Sequence, residues 1–142
     1  MEYYILASHG SLACGMKSAV EMICGDDCPL ASYDLDHYET PEDIYAAIEK
    51  QIKADLQGEY IIFTDLLGGS VHNCLLHLGQ HENTVIIAGM HLGLVLGMMG
   101  GEKEGTLQQR ADEAIRMTMP MITAFAREKI LENLTYREEE EL

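Results

Sequence analysis

Compact apolar runs punctuate the chain at regular intervals and predict buried strands. Short runs of this kind, bounded by turn residues, are typical of strands covered on both faces of a parallel sheet. Four runs predict four strands: Tyr3–Ala7, Leu30–Leu35, Tyr60–Thr64 and Thr84–Ala88.

Between these runs the apolar residues recur at helical spacing and predict helices. Ile44, Ile48 and Ile52 form a single stripe, preceded by Thr40 as an N-cap and by Pro41 at the first helical position. Similar signals predict further helices over 12–23, over 70–79 with Ser70 as its cap, within 89–101, and from Thr106 to Pro120. The pattern is therefore one of alternating strands and helices.

This alternation predicts an α/β fold: a three-layer, open, mainly parallel sheet with helices on both faces, for which we assume the strand order 2-1-3-4. The segment Met121–Phe125 fits either a helix or a short antiparallel fifth strand. No repeat or linker divides the chain, so we expect one domain over 1–135, followed by a solvated, mobile acidic tail over 136–142.

Charge narrows the class of partners. Nine basic residues against 24 acidic ones give a formal net charge of -15. This balance argues against binding to nucleic acid or to an anionic membrane surface, because both would repel the chain. It favours a protein partner with a basic face.

The sequence shows no sign of export or membrane insertion. It enters a strand-like run almost at once, and no apolar run approaches the ~18–20 residues that span a bilayer. The four cysteines (Cys14, Cys24, Cys28 and Cys74) include no Cys-x-x-Cys pair. We therefore expect reduced thiols and a cytoplasmic location.

The most informative candidate is His9, which follows the first predicted strand. Asp65 follows the third predicted strand. In strand order 2-1-3-4 these strands are neighbours whose outgoing connections leave toward opposite faces, which opens a crevice at that edge. The order therefore predicts that the two side chains converge there.

A histidine beside a carboxylate can serve as a nucleophile, a base or a metal ligand. The carboxylate holds one ring nitrogen protonated, so the other nitrogen carries a lone pair. Attack on phosphorus would require anion-binding donors nearby, and the glycine-rich turns supply candidates. The candidate phosphate-binding residues are Gly10, Gly68, Gly69 and Ser70.

Other readings of the histidines stay open at this point. His9 alone fits a structural residue, and Ser70 fits a plain N-cap. His72 and His91 are candidate rim residues, and with His9 they would suit a metal-dependent hydrolase. The same crevice would also suit a non-catalytic regulatory or anion-binding module.

Two motifs resemble a known family. Ala7-Ser8-His9-Gly10 and the segment from Phe63 to Ser70 are similar to the mannose-type enzyme IIA domain of the phosphoenolpyruvate-dependent sugar phosphotransferase system. The resemblance implies a phosphotransferase in which His9 accepts a phosphoryl group from the phosphocarrier HPr and passes it to a IIB protein or domain. It implies that Asp65 orients His9 and that Ser70 helps to bind phosphate.

The resemblance also carries expectations about the assembly. It implies a homodimer that is peripheral to membrane sugar permease components and uses no cofactor and no metal. The chain departs from the family pattern at Val71 and His72 after the glycine turn, and at His91 and Gly93 after the fourth strand. These departures leave the sugar and the IIB partner open.

Overall fold

The computed structural model describes the backbone of residues 1–141 and the side chains of residues 1–135. Strands and helices alternate along the chain as the sequence predicts. The strands are β1 (Glu2–Ser8), β2 (Leu30–Asp34), β3 (Glu59–Thr64) and β4 (Thr84–Ile87). The helices are α1 (Leu12–Cys24), α2 (Pro41–Ala54), α3 (Ser70–Leu75), α4 (Leu92–Gly100), α5 (Leu107–Thr118) and α6 (Arg127–Glu141).

The four strands form one parallel sheet in the order β2-β1-β3-β4. Ala7 pairs with Thr64 across β1 and β3, and Ser8 pairs with Asp34 across β1 and β2. The predicted strand order and fold class are therefore confirmed.

Alternation of side chains along the strands builds two cores, one on each face of the sheet. Leu6, Phe63 and their neighbours pack with α1, α4 and α5. On the other face, Ile5 and Ile62 pack with α2 and α3. Helices therefore cover both faces, with α1 and α3 on opposite sides of the sheet.

Of the two N-cap residues predicted for α2 and α3, one is confirmed and the other is wrong. Thr40 accepts the backbone N–H of Asp43 at 3.1 Å and begins α2, as predicted. Ser70 is not a cap: Gly69 holds that position and Ser70 is the first residue of α3. The helix also ends early, at Leu75, and continues as a 3-10 helix over Leu76–Gln80.

The C-terminal third differs most from expectation. Met121 closes a short 3-10 helix that follows α5, and the next residues, through Phe125, are neither helix nor strand. In the described part of the chain the sheet has four strands and no fifth. The predicted acidic tail, expected to be mobile, has helical backbone through Glu141 as part of α6, while its side chains and residue 142 lie outside the described residues.

No helix within residues 1–141 is long and apolar enough to cross a bilayer.

Candidate functional site

The end of β1 and the end of β3 meet at the edge of the sheet where the helices diverge. After β1 the chain turns at His9 and Gly10 toward α1, and after β3 it turns at Asp65 toward α3. Since α1 and α3 lie on opposite faces, a crevice opens between the two turns. His9 and Asp65 contact each other in this crevice.

Asp65 holds His9 by two hydrogen bonds to the same carboxylate oxygen. The backbone N–H of His9 donates to Oδ2 of Asp65 at 2.8 Å, and the Nδ1 atom of the ring lies 2.9 Å from that oxygen. Burial raises the pKa of Asp65, but the hydrogen bonds from His9 outweigh it and the net shift is downward. The carboxylate is therefore ionised at neutral pH and can only accept, which makes Nδ1 the protonated nitrogen of His9.

Ser70 contacts the other nitrogen of the ring. Its Oγ lies 3.0 Å from Nε2 of His9. In the neutral ring with its proton on Nδ1, Nε2 has a lone pair that accepts the Ser70 hydroxyl. Of the two roles that the sequence allows for Ser70, the N-cap is therefore wrong, and the hydroxyl faces Nε2 of His9 in the crevice.

The glycine turn brings Ser70 close to His9. Gly68 has φ +84°, a left-handed conformation that glycine adopts without strain. A Cβ on Gly69 would lie 3.2 Å from Cε1 of His9 and 3.1 Å from the Leu66 carbonyl oxygen. The N–H of Gly69 donates to that carbonyl at 2.9 Å, so Gly69 provides close approach rather than a free donor.

Two further residues stabilise the turns around the site. Asn73 donates from Nδ2 to the carbonyl of Gly68 at 3.1 Å, which closes the turn from the helix side. Ser8 is fully buried, and its Oγ accepts the backbone N–H of Ala13 at 2.7 Å, which fixes the start of α1. Sequence reasoning missed the role of Ser8, although a serine at a strand end just before a helix is a recognisable signal. Gly10 has φ +51° and allows the β1–α1 turn.

His72 and His91, which the sequence predicts at the rim of the crevice, are each bonded to another part of the chain. His72 is 5% exposed, and its Nδ1 lies 2.8 Å from Oγ1 of Thr64, so it is buried and not a rim residue. His91 is half-buried and caps α4, since its Nδ1 accepts the backbone N–H of Leu94 at 3.3 Å.

A three-histidine metal site is not assembled. The rings of His72 and His91 are engaged by Thr64 and by Leu94, as described, and that of His9 by Asp65 and Ser70. Within the described side chains, no group of three or more histidine, cysteine, aspartate or glutamate residues could hold a metal ion.

The fold and the site define a doubly wound α/β protein. Its crevice, between the ends of β1 and β3, holds a histidine that is bonded to a carboxylate and faces a serine. Residues 3–115 match the PTS system fructose IIA component family. The chain therefore belongs to this family of IIA components of the sugar phosphotransferase system.

Several solved structures share this fold. A Klebsiella pneumoniae protein, provisionally named a phosphoenolpyruvate-dependent sugar phosphotransferase system permease, is 26% identical, with a TM-score of 0.74 over 87% of this chain and 90% of its own. Component EIIA from Streptococcus agalactiae is 20% identical, with a TM-score of 0.77 over 88% and 98% of the two chains. The mannose/sorbose specific IIA subunit from Enterococcus faecalis is 19% identical, with a TM-score of 0.72 over 88% and 95%. A search among curated proteins gives no significant match.

Proposed function

We propose that the protein is a phosphocarrier in which Nε2 of His9 accepts a phosphoryl group from HPr and passes it to a IIB protein or domain. The observation that carries this proposal is the geometry of the ring. Asp65 holds Nδ1, while Nε2 faces the Ser70 hydroxyl in a side chain that is 45% exposed. An exposed imidazole whose tautomer is fixed in this way is suited to act as a nucleophile.

Transfer then requires one bond change at phosphorus. The lone pair of Nε2 forms a new N–P bond as the N–P bond of the phosphorylated donor breaks, and its electron pair returns to the donor nitrogen. The proton on Nδ1 stays in its hydrogen bond to Asp65, whose negative charge stabilises the ring as it becomes electron-poor. Because the donor is already an activated phosphoramidate, the reaction uses no cofactor and no metal.

Ser70 is placed to follow the reaction. Its hydroxyl donates to Nε2 in the free protein, at 3.0 Å. Once Nε2 bonds to phosphorus, the hydroxyl loses that acceptor and turns to a phosphoryl oxygen. We infer that Gly10 and Gly68, which form the two turns, leave room for the phosphoryl group beside His9.

Exposed apolar residues beside the site favour a protein as the partner. Leu66 and Leu67, directly after Asp65, are 61% and 74% exposed. An apolar contact next to the reacting group, on a chain of net charge -15, fits a partner with a basic rim around an apolar centre. HPr and a IIB protein would take turns on this surface, in the cytoplasm and peripheral to the membrane sugar permease.

Labelling of the intact protein tests the proposal. We expect incubation with phosphoenolpyruvate, enzyme I and HPr to add one acid-labile phosphoryl group, detected by intact-protein mass spectrometry. Omission of HPr should abolish the addition. A protein that stays unlabelled while a known IIA protein is labelled in parallel would instead be the non-catalytic regulatory or anion-binding module that the same crevice allows.

We also propose that the protein is a homodimer held by the segment between α5 and α6. Met119, Met121, Ile122 and Phe125 are each more than half exposed in the single chain. Exposed apolar residues clustered along one short segment are costly in water and are typical of a surface covered by another chain.

Sedimentation equilibrium tests the dimer. We expect a mass twice the 15.8 kDa of one chain, and a shift toward the single-chain mass in Ile122→Asp. The matched control is Leu56→Asp, because Leu56 is exposed to a similar extent, at 65% against 70% for Ile122, but lies in the loop before β3. A wild-type protein that sediments as a single chain would contradict the proposed dimer.

A further inference from the structure

A second histidine–carboxylate pair lies at the same edge of the sheet, at the end of β2. Oδ1 of Asp34 lies 2.6 Å from Nδ1 of His37 and accepts the backbone N–H of His37 at 3.0 Å. It also accepts the backbone N–H of Asp36 at 3.1 Å. Asp34 is 1% exposed, whereas the ring of His37 is 65% exposed.

This pair repeats the geometry of His9 and Asp65. In both, one carboxylate oxygen holds the backbone N–H and the Nδ1 atom of the same histidine. In both, the carboxylate follows or ends a parallel strand and leaves Nε2 directed away from it. The two pairs differ in what surrounds the ring. The His9 ring contacts the glycine turn and Ser70, whereas His37 is followed by Tyr38, Glu39 and Thr40.

The register of the sheet places the loop of His37 beside His9. Asp34 pairs with Ser8, the residue before His9, and the N–H of Leu35 continues this pairing by donating to the Ser8 carbonyl at 3.2 Å. The loop leads into α2, which lies on the same face of the sheet as α3, and Ser70 of α3 contacts the His9 ring.

The surroundings of His37 favour its positive form. The hydrogen bond from His37 and the charge of Asp34 raise the pKa of the ring, and the nearby Asp36 adds to this. Burial opposes ionisation of Asp34, but its hydrogen bonds from His37 and Asp36 hold its pKa below the usual range. Residues 34–43 contain no lysine or arginine, so His37 supplies the cation of this loop among the acids Asp36, Glu39, Glu42 and Asp43.

We propose that His37 is an anion-recognising residue that binds the phosphoryl group of the incoming donor before it is transferred to His9. This inference rests on the proposed phosphocarrier function and names a further specificity residue for it. Nε2–H of the His37 imidazolium donates a charge-assisted hydrogen bond to a phosphoryl oxygen. Because an unphosphorylated donor offers no such acceptor, this contact favours the phosphorylated donor, and it does so against the negative charge of the neighbouring acids.

Equilibrium binding in a protein that cannot react tests the inference. In the His9→Ala background the phosphorylated donor binds without transfer, and the dissociation constants of phosphorylated and unphosphorylated HPr can be compared by titration. We expect His37→Gln to weaken phosphorylated HPr by roughly tenfold, the size of one charge-assisted hydrogen bond. Binding of unphosphorylated HPr should not change.

The control variant is His81→Gln, because His81 precedes β4 and lies at the amino-terminal end of the strands, away from His9. It should bind both forms of HPr like its parent. Equal weakening of both forms by His37→Gln would overturn the inference, since His37 would then contact a fixed group of HPr. A phosphoryl group found on His37 itself would also overturn it.

This failure is distinguishable from failure of the proposed function. If wild-type protein is not labelled by HPr at all, the phosphocarrier function is wrong. If it is labelled and His37→Gln leaves both dissociation constants unchanged, only the role of His37 is wrong.

Discussion

Replacement of His9 by alanine should abolish phosphorylation, with no label above background from phosphoenolpyruvate, enzyme I and HPr. His9 provides the nitrogen that would bond to phosphorus, and no second group in the crevice can replace it. Its neighbours there are the carboxylate of Asp65 and the hydroxyl of Ser70. Neither has an activating base once the imidazole is gone. Intact-protein mass spectrometry after quenching at alkaline pH measures the loss.

The loss should occur without a change in stability. The His9 ring is 45% exposed and outside both cores, so His9→Ala should unfold at nearly the same urea concentration as wild type. His81→Ala, at the opposite edge of the sheet, should be labelled like wild type. Full labelling of a folded His9→Ala protein would exclude His9 as the acceptor.

The sequence predicts how His9 and Asp65 meet once a strand order is assumed. The βαβ pattern with right-handed crossovers indicates a parallel sheet, and the assumed order 2-1-3-4, which the structure has, places the ends of β1 and β3 side by side. Both residues directly follow strands whose apolar runs are unambiguous. Position at a strand end therefore determined the pair without any knowledge of side-chain geometry.

The finer contacts depended on one residue of register at a turn. Ser70 fits an N-cap by residue type, but the turn places Gly69 at the cap and directs the Ser70 hydroxyl to His9. For the same reason His72 is buried against Thr64 instead of lying at the rim. A shift of one residue on a helix rotates a side chain by about 100°, which residue type alone cannot specify.

The pair of Asp34 and His37 could not be ranked from the sequence either. An aspartate at a strand end followed three residues later by a histidine fits an ordinary turn, in which the carboxylate accepts backbone N–H groups. Its likeness to the pair of His9 and Asp65 appears only when the two sets of hydrogen bonds are compared.

The C-terminal segment was the least predictable part because its residues contact little of the same chain. Residues 119–135 are exposed throughout, so no core pattern marks their elements. Apolar periodicity indicates the buried face of an element, and a segment that is exposed throughout has no such face to distinguish a strand from a helix.

Replacement of Asp65 should separate its two effects on His9, the hydrogen bonds and the negative charge. Asp65→Asn keeps an acceptor oxygen where the backbone N–H of His9 requires one, so Nδ1 can stay protonated and bonded. Only the charge is lost, and a neutral hydrogen bond is weaker than a charged one by about 1–1.5 kcal/mol, which predicts a roughly tenfold slower transfer. Asp65→Ala removes both hydrogen bonds and frees the ring, and we expect a loss of about 10²–10⁴-fold.

Rapid-quench measurement of transfer from phosphorylated HPr distinguishes these outcomes. The matched control is Asp55→Asn, because Asp55 also accepts a side-chain hydrogen bond, from the Tyr3 hydroxyl at 2.7 Å. Asp55 precedes β3 and therefore lies at the amino-terminal end of the strands, away from His9. Its transfer rate should equal that of wild type. Equal losses in Asp65→Asn and Asp65→Ala would mean that the charge alone matters, whereas wild-type rates in both would remove Asp65 from the mechanism and leave His9 oriented by Ser70.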